Sequence, residues 1–231
     1  MKILSLNIRH GGGTRVDAIL EYLGSHHFDV LVLSEFRHNR AGDKLKRFLS
    51  QKGFEFVSPE TNEPKKNTVL VAAKSITQVD LPALPVPWST IGARCGFLQV
   101  IGVYFPLKDA KKPLFDWFVA HSRNMLNTVL IGDFNTGSNE LDLQGKSKFY
   151  CSDEFADLSQ NKLVDAYRLL HQTNREYSWY SSVGNGFRID HALVTSDLLD
   201  RISEVRYEHT TRDVISDHSA LFLNLSERSE V

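Results

Sequence analysis

Val129-Leu130-Ile131-Gly132-Asp133-Phe134-Asn135 is a run of apolar, largely β-branched residues that breaks at a glycine and continues into an acid, an aromatic and an amide. Such a run reads as a buried strand, and the break places Asp133 and Asn135 where the strand ends. Strand ends are where a rigid scaffold meets solvent, so a carboxylate and an amide two residues apart there can address one ligand. Gly, Asp and Asn are also ordinary turn residues, so the stretch alone is equally well a simple strand-to-turn junction. What favours the first reading is that further polar residues follow or precede apolar runs elsewhere in the chain in the same way.

Working outward toward the N-terminus, Lys2 to Ile8 alternates as a strand and meets Arg9-His10-Gly11-Gly12-Gly13, so Asn7 is a strand-end polar residue. Thr14 to Gly24 has Val16, Ile19, Leu20 and Leu23 at helical spacing, with Thr14 as the expected N-cap. Asp29 to Leu33 is a second buried strand ending at Ser34-Glu35, and Lys44 to Lys52 reads as a helix. Phe54 to Val57, Thr68 to Ala73 and Phe97 to Phe105 read as strands, the last delivering Tyr104 just before Pro106. Glu60 to Asn67 reads as an exposed polar loop, and proline-rich Leu81 to Trp88 as a long connection with no assigned chemistry. Leu114 to Leu126 carries helical spacing and leads back to the central run.

On the C-terminal side, Thr136 to Lys148 is polar and rich in turn residues, and Phe155 to Leu158 and Val164 to Leu170 read as short helical pieces. Tyr177 to Ser181 alternates like a strand, Ser182 to Gly186 turns, and Phe187 to Val194 returns through Arg188 and Asp190. Ala220 to Leu225 is a closing strand entered through Ser216-Asp217-His218-Ser219. No repeat, linker or low-complexity tract interrupts this order, so residues 1–231 read as one domain whose two β regions stack under helices.

Composition narrows the class. An apolar content of 42% and a charged content of 24% are those of an ordinary globular protein, and no segment has the length of a membrane span. Met1 to Arg9 reads as a strand rather than a signal peptide. Cys95 and Cys151 show no metal or redox spacing; they are either free thiols of a reducing cytoplasm, the reading adopted, or one disulfide. A net charge of −1 and a pI near 6.8 give no global attraction to a polyanion, so any nucleic acid has to be held locally. No membrane and no obligate protein partner are expected.

Asn7, Glu35, Asp133, Asn135, Asp190, Asp217 and His218 are too far apart in sequence for one local motif and share only their strand-end positions. Brought to one rim, these carboxylates and amides suit a hard cation such as Mg²⁺, with Mn²⁺ as a substitute, and the lack of Cys/His ligand pairs argues against structural zinc. That chemistry fits phosphoester hydrolysis, which needs charge neutralisation at phosphorus, a base for water and a stabilised leaving oxygen.

Leu6-Asn7-Ile8, Leu33-Ser34-Glu35, Val103-Tyr104-Phe105-Pro106, Ile131-Gly132-Asp133-Phe134-Asn135, Arg188-Ile189-Asp190 and Ser216-Asp217-His218 occur in the order seen in the endonuclease/exonuclease/phosphatase superfamily, which the chain resembles over nearly its whole length. Tyr177-Ser178-Trp179-Tyr180-Ser181 followed by Gly186-Phe187-Arg188-Ile189-Asp190 is most similar to the exonuclease III and apurinic/apyrimidinic endonuclease branch. The resemblance implies an α+β fold, a four-layer α/β/β/α sandwich of two mostly antiparallel sheets flanked by helices. It implies that Glu35 ligates the metal with Asn7 and Asp217 in support, and that Asp133 orients and deprotonates the attacking water. Asn135 would hold the phosphate or that water, Tyr104 would contact the phosphate or the leaving oxygen, and His218 would donate to a nonbridging oxygen while Asp190 keeps it protonated. Arg9, Trp179, Phe187 and Arg188 are the expected substrate-binding residues, the aromatics by stacking on a base or filling an abasic gap.

Two departures stand out. Arg9 lies two residues after Asn7, where nuclease relatives carry Asp or Asn, and a guanidinium cannot ligate a cation, so it either turns toward a phosphate or the metal shell is smaller. The chain is also short for a nuclease of this type, which trims loops that would grip a duplex. The expected function is therefore a Mg²⁺-dependent phosphodiester hydrolase acting on DNA, as a 3′-5′ exonuclease or abasic-site endonuclease. The competing readings are an enzyme for RNA, nucleotides or another small phosphoester, and a non-catalytic binding module of the same fold.

Overall fold

The computed structural model describes residues 1–226. Two six-stranded sheets stack face to face. The first contains β1 (Lys2–Asn7), β2 (Val30–Phe36), β3 (Glu55–Val57) and β4 (Thr68–Ala73), together with β13 (Ile202–Glu208) and β14 (Ala220–Leu225), in the order β13-β14-β1-β2-β4-β3. The second contains β5 (Thr77–Val79), β6 (Thr90–Cys95), β7 (Leu98–Tyr104), β8 (Thr128–Asp133), β9 (Val164–Asp165) and β12 (Asp190–Val194), in the order β5-β6-β7-β8-β12-β9. A separate hairpin joins β10 (Trp179–Tyr180) to β11 (Gly186–Phe187).

Each sheet has one parallel pair at its centre, β1 with β2 and β7 with β8, and its other pairings are antiparallel. The strands are buried on both faces because side chains alternate between two cores. Val30, Val32, Val69 and Val71 from one sheet meet Val100, Val129, Ile131 and Val194 from the other. The opposite residues Leu4, Leu31, Leu33 and Leu70 pack beneath α1 (Val16–Ser25) and α2 (Arg40–Gln51). Ile101, Val103, Leu130 and Leu193 pack beneath α3 (Lys112–His121) and α4 (Ser152–Asn161). This is the expected four-layer α+β sandwich, and it explains why the central run lacks a polar alternation.

Local expectations shift in several places. Thr14 does not cap α1, because residues 13–15 form a 3₁₀ turn that feeds the helix. Asn39 caps α2 by accepting the Ala41 and Gly42 N–H groups, so that helix begins earlier than its apolar spacing suggested. β5, β6 and β13 were not anticipated, and the run through Phe187 and Val194 divides into β11 and β12. Val164–Asp165 is a strand that leads into the short α5 (Ala166–Leu170). Cys95 and Cys151 are both free and buried. Among the described residues no helix is long and apolar enough to cross a membrane.

Candidate active site

The two parallel pairs decide where the polar residues meet. β1 and β2 end on the same side in their sheet, as do β7 and β8 in theirs, while antiparallel β4, β12 and β14 begin there. Asn7, Glu35, Tyr104 and Asp133 thus arrive at strand exits, and Asn67, Asp190 and His218 at strand entries, around one crevice between the sheets. Asp190 lies directly opposite Asp133 in the β8–β12 register.

Two serines fix this edge, Ser34 across the two sheets and Ser216 within the first. Ser34 Oγ donates to the Val103 carbonyl at 2.8 Å and accepts the Asp133 N–H at 3.3 Å. Ser216 Oγ donates to the Asn7 carbonyl at 2.5 Å and accepts the His218 N–H at 3.1 Å. A Cβ at Gly132 would sit 2.1 Å from the Val103 carbonyl oxygen, so the residue before Asp133 has to be glycine for β8 to close on β7. Glu35 (φ 56°) and Asn135 (φ 51°) adopt left-handed backbone, and the β2–β4 register slips at Glu35. The bulge takes Glu35 out of the ladder and aims it at the crevice, a strained conformation of the kind that concentrates at functional sites.

The carboxylates are held from several sides. Asn7 Nδ2 donates to Asp133 Oδ2 at 2.9 Å and to Glu35 Oε1 at 3.2 Å. Asn135 donates its backbone N–H to Asp133 Oδ1 at 2.8 Å and its Nδ2 to Oδ2 at 3.3 Å. Glu35 Oε2 accepts from Asn67 Nδ2 at 2.8 Å and from the His10 N–H at 2.7 Å, with the His10 ring nitrogen at 2.9 Å. His218 Nδ1 is 2.8 Å from Asp190 Oδ2, which leaves Nε2 as the nitrogen able to meet a substrate. Ser178 Oγ accepts the Asp190 N–H at 3.2 Å and Tyr207 donates to the Asp190 carbonyl at 2.5 Å, so the partner of the imidazole is itself fixed.

Burial, with Asp190 and Glu35 nearby, pushes the Asp133 carboxyl up to about 7 against the opposing pull of His218. Burial disfavours the His218 imidazolium, yet the charge and hydrogen bond of Asp190 outweigh it and raise His218 to about 10. Burial and Glu35 raise the Tyr104 phenol. Asp133, Asp190 and His218 each bring one ligating atom within 4.8 Å of the others. A buried acid that holds its proton near neutrality has too little positive charge around it to offset its desolvation, a deficit a hard divalent cation would relieve, and the oxygen-rich donor set suits one.

The structure brings Asn7, Glu35, Tyr104, Asp133, Asn135, Asp190 and His218 together, with Asp217 and Arg9 at the rim. Asp217 Oδ2 lies 3.3 Å from Trp179 Nε1 and 3.7 Å from Arg9 Nε, and Trp179 packs on Phe187 with ring centroids 5.7 Å apart. Asn7 turns its Nδ2 to Glu35 and Asp133, and its Oδ1 accepts the Arg9 N–H at 2.8 Å. One expectation needs correction. Arg188 does not face substrate: it is 0% exposed and bonds Asp142 at 2.7 Å and Asp165 at 2.6 Å. Asn67, His10 and Ser178 were missed. Asn67 did carry a signal, since it immediately precedes the apolar run Thr68 to Ala73.

The family model for Endonuclease/Exonuclease/phosphatase family matches residues 4–218. Among solved structures, the chain is similar to the 3′ phosphatase NExo from Neisseria bound to product DNA hairpin, with TM-score 0.84 and 24% identity over 98% of this chain and 100% of that one. It is also similar to the 3′-5′ exonuclease NExo from Neisseria meningitidis, with TM-score 0.82 and 25% identity over the same shares. An AP endonuclease from Archaeoglobus fulgidus matches with TM-score 0.84 and 19% identity, again over 98% and 100% of the two chains. With the motifs in order along one crevice and the match running through both sheets, the chain belongs to the Endonuclease/Exonuclease/phosphatase family and is a hydrolytic phosphodiesterase.

Proposed function

We propose that the protein is a Mg²⁺-dependent DNA phosphodiesterase, acting as a 3′-5′ exonuclease or abasic-site endonuclease in repair. The observation that carries this reading is Asp190 set directly opposite Asp133 in one sheet and bonded to His218 at the edge of the other, where Asn7 links Glu35 to Asp133. The similar NExo and AP endonuclease structures support DNA as the substrate.

In this reading Asp133 accepts a proton from the attacking water as the new P–O bond forms. His218, charged and fixed by Asp190, donates through Nε2 to a nonbridging oxygen as negative charge builds there. Asn135 orients the water or phosphate, and Tyr104 meets the phosphate or the departing oxygen. Glu35, with Asp217 at the rim, would hold the Mg²⁺, whose positive charge neutralises the phosphate and the leaving oxygen. Asn7 ties Glu35 to Asp133 as a donor and so sets the spacing between the metal ligand and the base. Arg9 at the rim suits a phosphate, and Trp179 with Phe187 offers aromatic surface to a base. Two buried free thiols suit a reducing compartment such as the cytoplasm.

A panel of labelled single-stranded DNA, nicked duplex, abasic duplex, RNA and p-nitrophenyl phosphodiesters, with and without Mg²⁺, tests the proposal. Metal-dependent cleavage of a DNA substrate is expected. Turnover confined to RNA or small esters moves the enzyme to another substrate, a reading the near-neutral net charge favours, and no turnover by folded protein points to a binding module.

A further inference from the structure

The proline-rich connection between β5 and β6, which the catalytic reading leaves unused, ends in a 3₁₀ turn (Pro87–Ser89) carrying Trp88. Trp88 lines a cavity of about 380 Å³ together with Leu81, Lys66, Glu60, Glu63 and Asp80. We propose that this cavity receives an unpaired nucleobase of the substrate, next to the scissile phosphate on the Glu35 side, stacked on Trp88. The proposal rests on the nucleic-acid reading of the active site.

Its position ties the cavity to the reaction centre. The Trp88 and Tyr104 rings lie 6.5 Å apart, and Tyr104 Oη accepts from Asn67 Nδ2 at 3.3 Å. Asn67 also donates to Glu35, while its chain neighbour Lys66 places Nζ 4.3 Å from the Trp88 ring centroid. Two consecutive residues thus link the carboxylate of the site to the indole.

The chemistry of the walls selects the occupant. Three carboxylates against one ammonium repel a phosphate, so the charged backbone stays outside. An indole face and a leucine suit a flat ring, and carboxylates, which only accept hydrogen bonds, suit the exocyclic amino groups of adenine, cytosine or guanine over thymine. A single cation–π contact to the half-buried Trp88 ring is a weak tether, so a base can displace Lys66 and leave its ammonium for the phosphate joined to that base. A base whose edge meets these walls cannot be paired at the same time, which makes a single-stranded or frayed end the fitting substrate.

The test compares kcat/KM on a single-stranded oligonucleotide with kcat/KM on bis-p-nitrophenyl phosphate, which has no base. Trp88→Ala should lower the ratio of the two about ten-fold, the scale of one lost base–aromatic stack, and Trp88→Phe should restore most of it. Binding of a labelled decamer to the Asp133→Asn protein, read by fluorescence anisotropy, separates the two proposals. Binding that weakens on replacing Trp88, without cleavage by the parent protein, keeps the base site and rejects the nuclease reading. Cleavage with an unchanged ratio in Trp88→Ala overturns the base site alone, and absence of any binding overturns both.

Discussion

Two buried charge clusters meet on neighbouring residues of one segment, Arg188 and Asp190, and they are built on opposite principles. Behind the crevice, Arg188 sits between Asp142 and Asp165, with Arg168 also paired to Asp142. Asp165 in addition accepts the Tyr167 N–H at the start of α5. Although burial works against their charge, the guanidinium holds both Asp142 and Asp165 below the usual carboxylate range. At the crevice, Asp133 and Asp190 face each other with only His218 between charges, and Asp133 is pushed up instead. Burial alone therefore does not mark a reactive site. Incomplete charge balance does, because a carboxylate short of counter-charge still takes up a proton or a cation.

The largest expected effect falls on the balanced cluster. Arg188→Met leaves buried Asp165 without its guanidinium and Asp142 with Arg168 alone, and should cost about 3–5 kcal/mol, a drop in melting temperature of roughly 6–20 °C. Calorimetry that finds a drop of only a degree or two would erase the distinction between the clusters. Next comes His218→Ala, which removes a donor acting on the transition state and should lower kcat on the best DNA substrate by about 10²–10³-fold. Retention of most of the activity would take His218 out of the mechanism.

Stability against pH in the presence of a chelator separates the clusters by sign. Asp142 and Asp165, depressed in the folded state, contribute stability above the unfolded carboxylate value of about 3.9, and it is lost as pH falls below that. Asp133, raised to about 7, binds a proton that the unfolded chain has already released, so its contribution is lost as pH rises from about 4 through 7. Urea denaturation should show a shallower fall over that upper window in Asp133→Asn, and an identical profile would show that Asp133 titrates normally. The smallest effect is expected at Lys111, whose buried ammonium donates to the Asn135 carbonyl at 2.6 Å and braces its left-handed backbone. Lys111→Met should cost about 1–3 kcal/mol and reduce kcat by roughly ten-fold or less.

The same contrast explains what the sequence reveals. Asn7, Glu35, Tyr104, Asp133, Asn135, Asp190 and His218 were legible as strand-end residues because an apolar run that stops has only one place to deliver its next polar side chain, the sheet edge. Which of them meet depended on the parallel pairs β1–β2 and β7–β8, which no local pattern encodes. Arg188 was misread because it shares the sequence neighbourhood of Asp190, whereas its partners Asp142 and Asp165 are distant in the chain. β13 escaped notice because Ile202 to Glu208 interleaves charges and is paired only along β14, so its pattern is that of an exposed segment. The direction of the Asn7 amide depends on the Arg9 N–H, a backbone contact that residue types do not disclose.

The claim on which everything turns is that the under-balanced carboxylates at the strand ends are kept for reaction at the expense of stability. Asp133→Asn tests it in a single sample whose metal-dependent phosphodiester hydrolysis and melting temperature are read together. The expected result is hydrolysis lowered about 10²-fold or more with a melting temperature equal to or above that of the parent. Hydrolysis within a few-fold of the parent, or a loss of rate accompanied by a lower melting temperature, would contradict the account.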